Sequence, residues 1–179
     1  MQTPDDVLTF WFEELTPEEH FNGGPEIDEE IRERFGKLHT KAAAGELYDW
    51  RETLYGRLAE IIILDQFSRN LYRGEAKAFA QDKMALALAQ ECLRICDLST
   101  LESSERAFLY MPFMHSESLV IHEIAMKLFS SEPDLKENLK YEISHKETLE
   151  EFGRYPYRNK ALGRKNTPAE EDYLKETGY

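Results

Sequence analysis

Residues 53–64 read TLYGRLAEIIIL, and the secondary structure of this stretch decides the fold class. Its apolar residues are nearly continuous: Leu54, Leu58, Ile61, Ile62 and Leu64. Such a run also fits a strand buried inside a sheet. However, the charged residues Arg57 and Glu60 lie within it, and helical patterns flank it on both sides. We therefore predict a central helix here, opened by Thr53.

Helix signals dominate the rest of the chain. Threonine, proline and acidic residues in sequence are typical of a helix N-terminus, and they occur at Thr3, Thr16 and Thr167. Apolar residues at helical spacing fill residues 27–42, 82–93, 102–111, 118–129 and 135–152, with Asp82 expected to cap its helix. We find no convincing strand pair and no Asn-Gly hairpin. The sequence predicts an all-α fold of about seven to nine antiparallel helices, in a single domain covering residues 1–179.

Pro112 interrupts the helical pattern in the segment YMPFMHSES, residues 110–118. A proline inside a helix removes one backbone hydrogen bond and leaves the carbonyl of Phe108 without its usual partner. We expect either a kink or the start of a new helix at this point. Both outcomes place His115, Ser116 and Glu117 at a bend, where side chains can face a cleft.

The composition restricts the class of partner. The formal net charge is −13, from 35 acidic and 22 basic residues, and such a surface repels nucleic acids and anionic membranes. No basic leader followed by an apolar stretch begins the chain, and no segment approaches the roughly 18 apolar residues of a membrane span. The two cysteines, Cys92 and Cys96, fit small core residues of a reducing compartment. We expect a cytoplasmic protein.

Two arginine-rich segments oppose this acidic background. DQFSRNLYRG occupies residues 65–74 and FGRYPYRN occupies residues 152–159. Arginine offers a planar fork of donors that suits carboxylate or phosphate, and asparagine adds a donor and an acceptor. The candidate ligand-binding residues are Asp65, Arg69, Asn70, Arg73, Arg154, Arg158 and Asn159. At the Pro112 bend, His115 and Glu117 are candidate catalytic residues, because a histidine beside a carboxylate can transfer protons at neutral pH.

A purely structural interpretation of these residues stays open. Asp65 and Arg69 are spaced as an i, i+4 helix pair, and such a surface pair contributes only about 0.3–0.5 kcal/mol. Arg154 and Arg158 could anchor their loop by bonding to helix-end carbonyls, and a lone histidine is more often structural. No zinc spacing, phosphate loop, dinucleotide motif or nucleophile elbow occurs, so no metal or cofactor is predicted.

Several motifs in order resemble one bacterial family of unknown function, numbered 924 (DUF 924). They are DVLTFWFEE, DQFSRNLYRG, YMPFMHSES, FGRYPYRN, LGR and NTPAEEDYL, and they extend over essentially the whole chain. The resemblance implies a superhelical fold similar to tetratricopeptide (TPR) repeats, and it implies no established activity. The family often has proline where this chain has Ser68, and usually histidine where it has Tyr157. The second difference removes a titratable group from the FGRYPYRN segment.

Three functions follow from these patterns. In the first, the arginines and asparagines converge on a pocket for a small anionic metabolite, phosphorylated or carboxylated, with His115 and Glu117 making it an enzyme. In the second, a TPR-like groove clamps the terminal carboxylate of a peptide. In the third, the motifs only hold helix ends together. The oligomeric state stays open, since Trp11 and Trp50 fit either a homodimer contact or the core.

Overall fold

The computed structural model describes residues 2–179. The central segment is helical, as predicted: α4 spans Leu54–Ile62, and Thr53 caps it by accepting the N–H of Gly56 on its hydroxyl at 3.0 Å. The helix continues through a π-helical turn, Ile63–Phe67, into α5, Ser68–Leu71. Side chains from Leu58 to Leu64 are almost wholly buried, so this segment forms the middle of the core.

The other helices surround this segment. Their bounds are α1 Pro4–Thr9, α2 Glu19–Asn22, α3 Gly24–Ala43, α6 Asp82–Ile95, α7 Ser103–Met114, α8 Leu119–Ser130, α9 Lys136–Phe152, α10 Asn159–Leu162 and α11 Pro168–Thr177. A second π-helical turn, Phe10–Glu14, extends α1. Short 3₁₀ turns occupy Tyr48–Glu52, Ala76–Phe79, Leu98–Thr100, Pro133–Leu135 and Pro156–Arg158. Residues 2–179 contain no strand, which confirms the all-α prediction, whereas a TPR-like superhelix stays a prediction.

The core lies where α1, α3 and α7 pack around the central segment. Trp11 is fully buried and contacts Phe67 and Phe108 edge-on or tilted, with ring centroids 5.7 and 5.4 Å apart. It therefore belongs to the core of this chain. Trp50 is partly buried and packs against the same core. On the other side, α8 packs between α7 and α9.

Pro112 does not start a new helix. It lies inside the last turn of α7, which continues to Met114 and ends with His115 as its C-terminal cap. Since the affected backbone bond is only one turn from the helix end, the helix tolerates the proline. His115 and Ser116 nevertheless lie where the chain turns toward α8, as expected for a bend.

Asp82 does not cap α6, contrary to the sequence prediction. The cap position belongs to Gln81, whose side chain makes no capping bond, and Asp82 is the first helical residue. Its carboxylate is used elsewhere, because two arginines from distant segments bind it. Across residues 2–179, none of the helices combines the length and the apolarity that crossing a lipid bilayer requires.

Candidate functional site

Asp65 is a wholly buried carboxylate in the π-helical turn after α4. A π-helical turn accommodates one extra residue per hydrogen-bonded ring, and such turns are frequent at functional sites. The side chain of Gln66 donates to Oδ2 of Asp65 at 2.7 Å, and Arg69 approaches Oδ1 at 3.3 Å. A buried carboxylate needs such donors, because an unpaired charge in the core is costly.

His115 is the third partner of Asp65. Its Nδ1 lies 2.7 Å from Oδ1 of Asp65, across 50 residues of sequence. The carboxylate accepts here, so Nδ1 carries the proton and Nε2 presents a lone pair. Nε2 has no hydrogen-bond partner among residues 2–179, and it retains some solvent exposure. A histidine oriented by a buried carboxylate, with its other nitrogen open, is the geometry of a general base.

The charges around this pair favour a neutral imidazole beside an ionised carboxylate. Burial lowers the pKa of His115, the neighbouring Arg69 lowers it further, and Asp65 opposes both. Burial by itself would raise the pKa of Asp65, but His115 and Arg69 outweigh it and hold that pKa below its usual range. At neutral pH, His115 is therefore able to accept a proton, and Asp65 is ready to stabilise the resulting cation.

Arg69 and Arg158 meet on a shared carboxylate, that of Asp82. Arg69 binds Asp82 with two hydrogen bonds, Nη1 to Oδ1 at 2.8 Å and Nη2 to Oδ2 at 3.0 Å. Arg158 approaches the same Oδ2 with Nη1 at 3.5 Å, which is too long for a strong bond. The formal charges of the four groups, those of Asp65, Asp82, Arg69 and Arg158, sum to zero.

Arg158 is held between aromatic rings. Its guanidinium lies 4.7 Å from the ring centre of Phe79 and 4.6 Å from that of Tyr155, a cation–π arrangement. Its Nη2 donates to the backbone carbonyl of His115 at 2.8 Å, which ties the two candidate segments together. The residue is only 4% exposed, and its Nε has no partner within residues 2–179.

A cleft of about 400 Å³ lies in front of these groups, and we call it the polar cleft. It is lined by Ala76, Phe79, Ala80, Asp82, Lys83, Leu86, Pro112, His115, Ser116, Glu117, Arg158 and Leu162. Lys83 is exposed at its edge and makes no ion pair with residues 2–179. Of the basic side chains lining the polar cleft, Lys83 is therefore the one that the described part of the chain leaves free for a ligand.

Glu117 hydrogen-bonds to the segment after α9, at Tyr155 and Arg164, and not to His115. Both of its oxygens accept from Arg164, at 2.8 and 2.9 Å, and Oε1 also accepts the backbone N–H of Tyr155 at 2.8 Å. Partial burial by itself would raise the pKa of Glu117. The hydrogen bonds from Arg164 and the Tyr155 amide outweigh this effect, so the pKa of Glu117 is lowered. The structure thus gives His115 a different carboxylate from the one that sequence proximity suggested.

Arg73 and Asn70 point away from the polar cleft. Arg73 binds Asp28 of α3 through Nε and Nη2, both at 2.8 Å, and Asn70 donates to the same carboxylate at 2.8 Å. Asp28 therefore neutralises Arg73 and joins α5 to α3. These two residues do not converge with Arg158.

Arg154 and Asn159 likewise form a separate structural cluster. Arg154 binds both oxygens of Glu170, at 2.7 and 2.8 Å, and Asn159 bonds to Asn166 at 2.9 Å. Glu170 also completes the capping box of α11 with Thr167. This cluster fixes the C-terminal helix.

The structure thus brings together Asp65, Arg69, Arg158 and His115. Glu117 lines the same cleft but pairs with Arg164, and the other candidates lie away from it. Sequence reasoning missed Asp82 and Lys83. An aspartate at a helix start is ordinarily a cap, so nothing in its pattern pointed to a bridge between arginines. For Lys83, its place directly after an acidic residue at a helix N-terminus was the one available signal.

Comparison with known proteins assigns the family. The family described as "Bacterial protein of unknown function (DUF924)" matches residues 7–178. This chain belongs to DUF924. A solved structure from Agrobacterium tumefaciens, titled as a protein of unknown function, is 33% identical to this DUF924 chain. The match covers 97% of each chain with a TM-score of 0.89. A comparison with curated proteins finds no significant match to the DUF924 chain.

Proposed function

We propose that this DUF924 protein is an enzyme acting on a small anionic molecule, with His115 transferring the proton. The observation that carries the proposal is the 2.7 Å contact between Nδ1 of His115 and the buried carboxylate of Asp65, beside the polar cleft. A carboxylate that holds one ring nitrogen fixes the tautomer and aims the other nitrogen at a ligand.

The chemistry assigned to the pair is general acid–base catalysis. Nε2 of His115 accepts a proton from the bound molecule, and Asp65 stabilises the imidazolium that forms. Arg69 acts in the opposite sense and keeps the resting imidazole neutral. A base poised in this way typically contributes about 10²–10⁴-fold to a rate.

The anionic group of the ligand is assigned to Lys83 and Arg158. Lys83 is free at the edge of the polar cleft, and Nη1 of Arg158 makes only a 3.5 Å approach to Asp82. A carboxylate or phosphate can therefore approach Nη1 of Arg158 without breaking a short bond. Arg158 of the cleft and Arg69 behind it are already balanced by Asp82 and Asp65, so this site holds one anionic group rather than a polyanion.

The peptide-clamp alternative has less support. An arginine with asparagine was expected to hold a terminal carboxylate, but Arg69 already binds Asp82 with two hydrogen bonds and Asn70 binds Asp28. We also propose that the protein works as one domain, since one core runs from Val7 of α1 to Leu135, with Leu139 of α9 packed against it. Cys92 and Cys96 are free, which supports a reducing compartment, and we propose the cytoplasm.

Site-resolved reaction with diethyl pyrocarbonate, followed by mass spectrometry, tests the histidine. The reagent acylates an accessible, neutral imidazole nitrogen, so we expect His115 to react quickly at pH 7. His122 should stay unmodified, because both of its ring nitrogens are hydrogen-bonded. Inorganic phosphate or acetate bound in the polar cleft should protect His115 in the native protein and not in Lys83→Ala.

Turnover provides the second half of the test. A panel of phosphorylated and carboxylated metabolites is incubated with the protein, and conversion is followed by NMR. We expect conversion of at least one compound by the native protein and its loss in His115→Asn. Slow carbethoxylation of His115, or conversion that persists in His115→Asn, would contradict the proposal.

A further inference from the structure

A second cleft, of about 450 Å³, adjoins the first at His115, and we call it the apolar cleft. It is lined by Phe21, Asn22, Met111, Met114, His115, Glu137, Asn138, Tyr141 and His145, from α2, α7 and α9. His115 is the one described residue that lines both clefts. The linings of the two clefts therefore meet at this one side chain.

Four of the nine lining side chains of this cleft are large and apolar or aromatic: Phe21, Met111, Met114 and Tyr141. Met111 and Met114 are each 3% exposed, so core packing holds them in place. Phe21 is 57% exposed and Tyr141 is 65% exposed. The ring of Phe21 stacks on Phe108, 6.1 Å between centroids, so it does not depend on a ligand for its position. Large exposed apolar groups around a cleft indicate a binding surface.

The two clefts differ in charge. Ionised side chains of both signs line the polar cleft. In the apolar cleft, the carboxylate of Glu137 is mostly exposed and pairs with Lys140 at 2.6 Å. His145 donates from Nδ1 to the carbonyl of Tyr141 at 2.7 Å, and burial lowers its pKa to about 4, so it is neutral at pH 7. The apolar cleft thus offers no cation, among the described residues that line it, to hold an anion.

We propose that the substrate of His115 is amphipathic, with its anionic group in the polar cleft and an apolar chain or aromatic ring in the apolar cleft. This inference rests on the function proposed above and adds the substrate class to it. The reacting atom then lies between the two ends, beside Nε2 of His115. Neither end alone explains why charged and apolar linings meet at one histidine.

A series of straight-chain carboxylates tests the inference in the intact protein: acetate, butyrate, hexanoate and octanoate, measured by calorimetry at pH 7. Each buried methylene contributes about 0.8 kcal/mol, which is about fourfold in affinity. We expect the affinity to rise by about this factor per methylene until the apolar cleft is filled. The Tyr141→Ala variant should flatten this rise, while Lys83→Ala should weaken every member by the same factor.

Two exposed residues outside both clefts provide matched controls. Tyr48 is 64% exposed, close to the value for Tyr141, and Lys41 is exposed on α3. Tyr48→Ala and Lys41→Ala should leave the whole series unchanged. All four substitutions are on the surface, so folding is not at stake.

The outcomes separate this inference from the proposed function. If acetate binds with dependence on Lys83 but affinity does not grow with chain length, the amphipathic substrate is wrong and the anion site stands. If affinity grows equally in Tyr141→Ala, the apolar chain lies elsewhere and the inference is also wrong.

If no member of the series binds, both the substrate class and the anion assignment are wrong. The carbethoxylation experiment still tests the role of His115 independently. A change of oligomeric state in Tyr141→Ala, together with a flat series, would assign the apolar cleft to a contact between copies.

Discussion

The carboxylate of Asp65 connects three side chains that differ in charge. Gln66 and Arg69 lie close in sequence, and their contacts with it follow from local helix geometry. His115 comes from another helix, and its contact depends on packing of the whole fold. Burial, together with the opposing charges of Asp65 and Arg69, therefore sets the pKa of a histidine that neither residue adjoins in sequence.

Replacing Asp65 with asparagine should lower the pKa of His115 further. The aspartate charge raises that pKa, whereas burial and Arg69 lower it, so removing the charge leaves the lowering influences unopposed. NMR titration of the imidazole resonances of native protein and Asp65→Asn measures the change. The surface substitution Asp172→Asn, 76% exposed, is the control and should leave the titration unaltered. An unchanged or higher pKa in Asp65→Asn would show that the carboxylate does not govern the histidine.

Arg158 should not tolerate lysine, although the charge is kept. Lysine lacks the flat fork that stacks on Phe79 and Tyr155 while donating to the carbonyl of His115. Loss of the stacking and of one bond should lower the free energy of unfolding by about 1–2 kcal/mol. Urea denaturation measures this, with Arg94→Lys on the exposed face of α6 as control. Equal stabilities of the two variants would mean that the stacking contributes nothing.

At this residue scale, the sequence predicted part of the candidate site. Arg69, Arg158 and His115 were selected because arginine forks and a histidine at a bend are unusual in an acidic helical protein, and the structure places them together. Arg73 and Arg154 have the same local pattern, yet their carboxylate partners, Asp28 and Glu170, lie outside the polar cleft. Arg69 and Arg158 instead share Asp82, which lines it. Which acid neutralises which arginine depends on tertiary packing, so periodicity and motif spacing could not separate the two groups.

At the scale of elements, the central segment depends on one glycine at its start. A Cβ at Gly56 would overlap the carbonyl oxygen of Trp50, so only glycine lets the preceding turn pack on α4. Gly36 in α3 has nothing within 4 Å of the same position. The two glycines therefore form a matched pair, with similar helical surroundings and opposite packing.

Gly56→Ala should destabilise the protein and Gly36→Ala should stabilise it. Overpacking against backbone costs about 1–3 kcal/mol, and the overlap at Trp50 places Gly56→Ala near the upper end of that range. Alanine in an open helical position adds about 0.5–1 kcal/mol through helix propensity. Thermal and urea denaturation of both variants measure the two signs. Stabilisation by Gly56→Ala would show that the turn before α4 moves freely.

Sequence patterns located the helices but not the π-helical turns. The starts at Thr3, Thr53 and Thr167 all cap as predicted, because capping is local chemistry. The turn at Ile63–Phe67 has an unbroken apolar sequence, and nothing local distinguishes it from a regular helix. Its conformation follows from packing on α3 and α6, and it decides where Asp65 lies.

At the scale of the whole molecule, histidines are embedded in a largely acidic protein without being charged. Burial is the largest influence lowering the pKa of His20, His39, His115 and His145. Several acids also have lowered pKa values, among them Glu170, where Arg154 is the main cause. Glu142 is the opposite case, since burial raises its pKa despite the neighbouring His122.

The protein should therefore lose stability steadily as the pH falls below about 6.5, the ordinary pKa of histidine in an unfolded chain. Below that pH the histidines bind protons in the unfolded state but stay neutral in the native state, so the free energy of unfolding decreases with falling pH. One such histidine contributes at most about 1.4 kcal/mol per pH unit. For His145 the effect extends down to a pH of about 4, where the native group begins to titrate. Carboxylates with lowered pKa values also reduce the stability at still lower pH, whereas Glu142, whose pKa is raised, opposes this loss.

Urea denaturation at pH 7.5, 6.5, 5.5 and 5.0 measures how steeply the free energy of unfolding depends on pH. His145→Gln should make this slope shallower by the contribution of one histidine. A stability that is flat over this range, or that rises toward acid, would mean that these imidazoles are not held neutral by the fold, and His115 would then lose its role as a base at neutral pH.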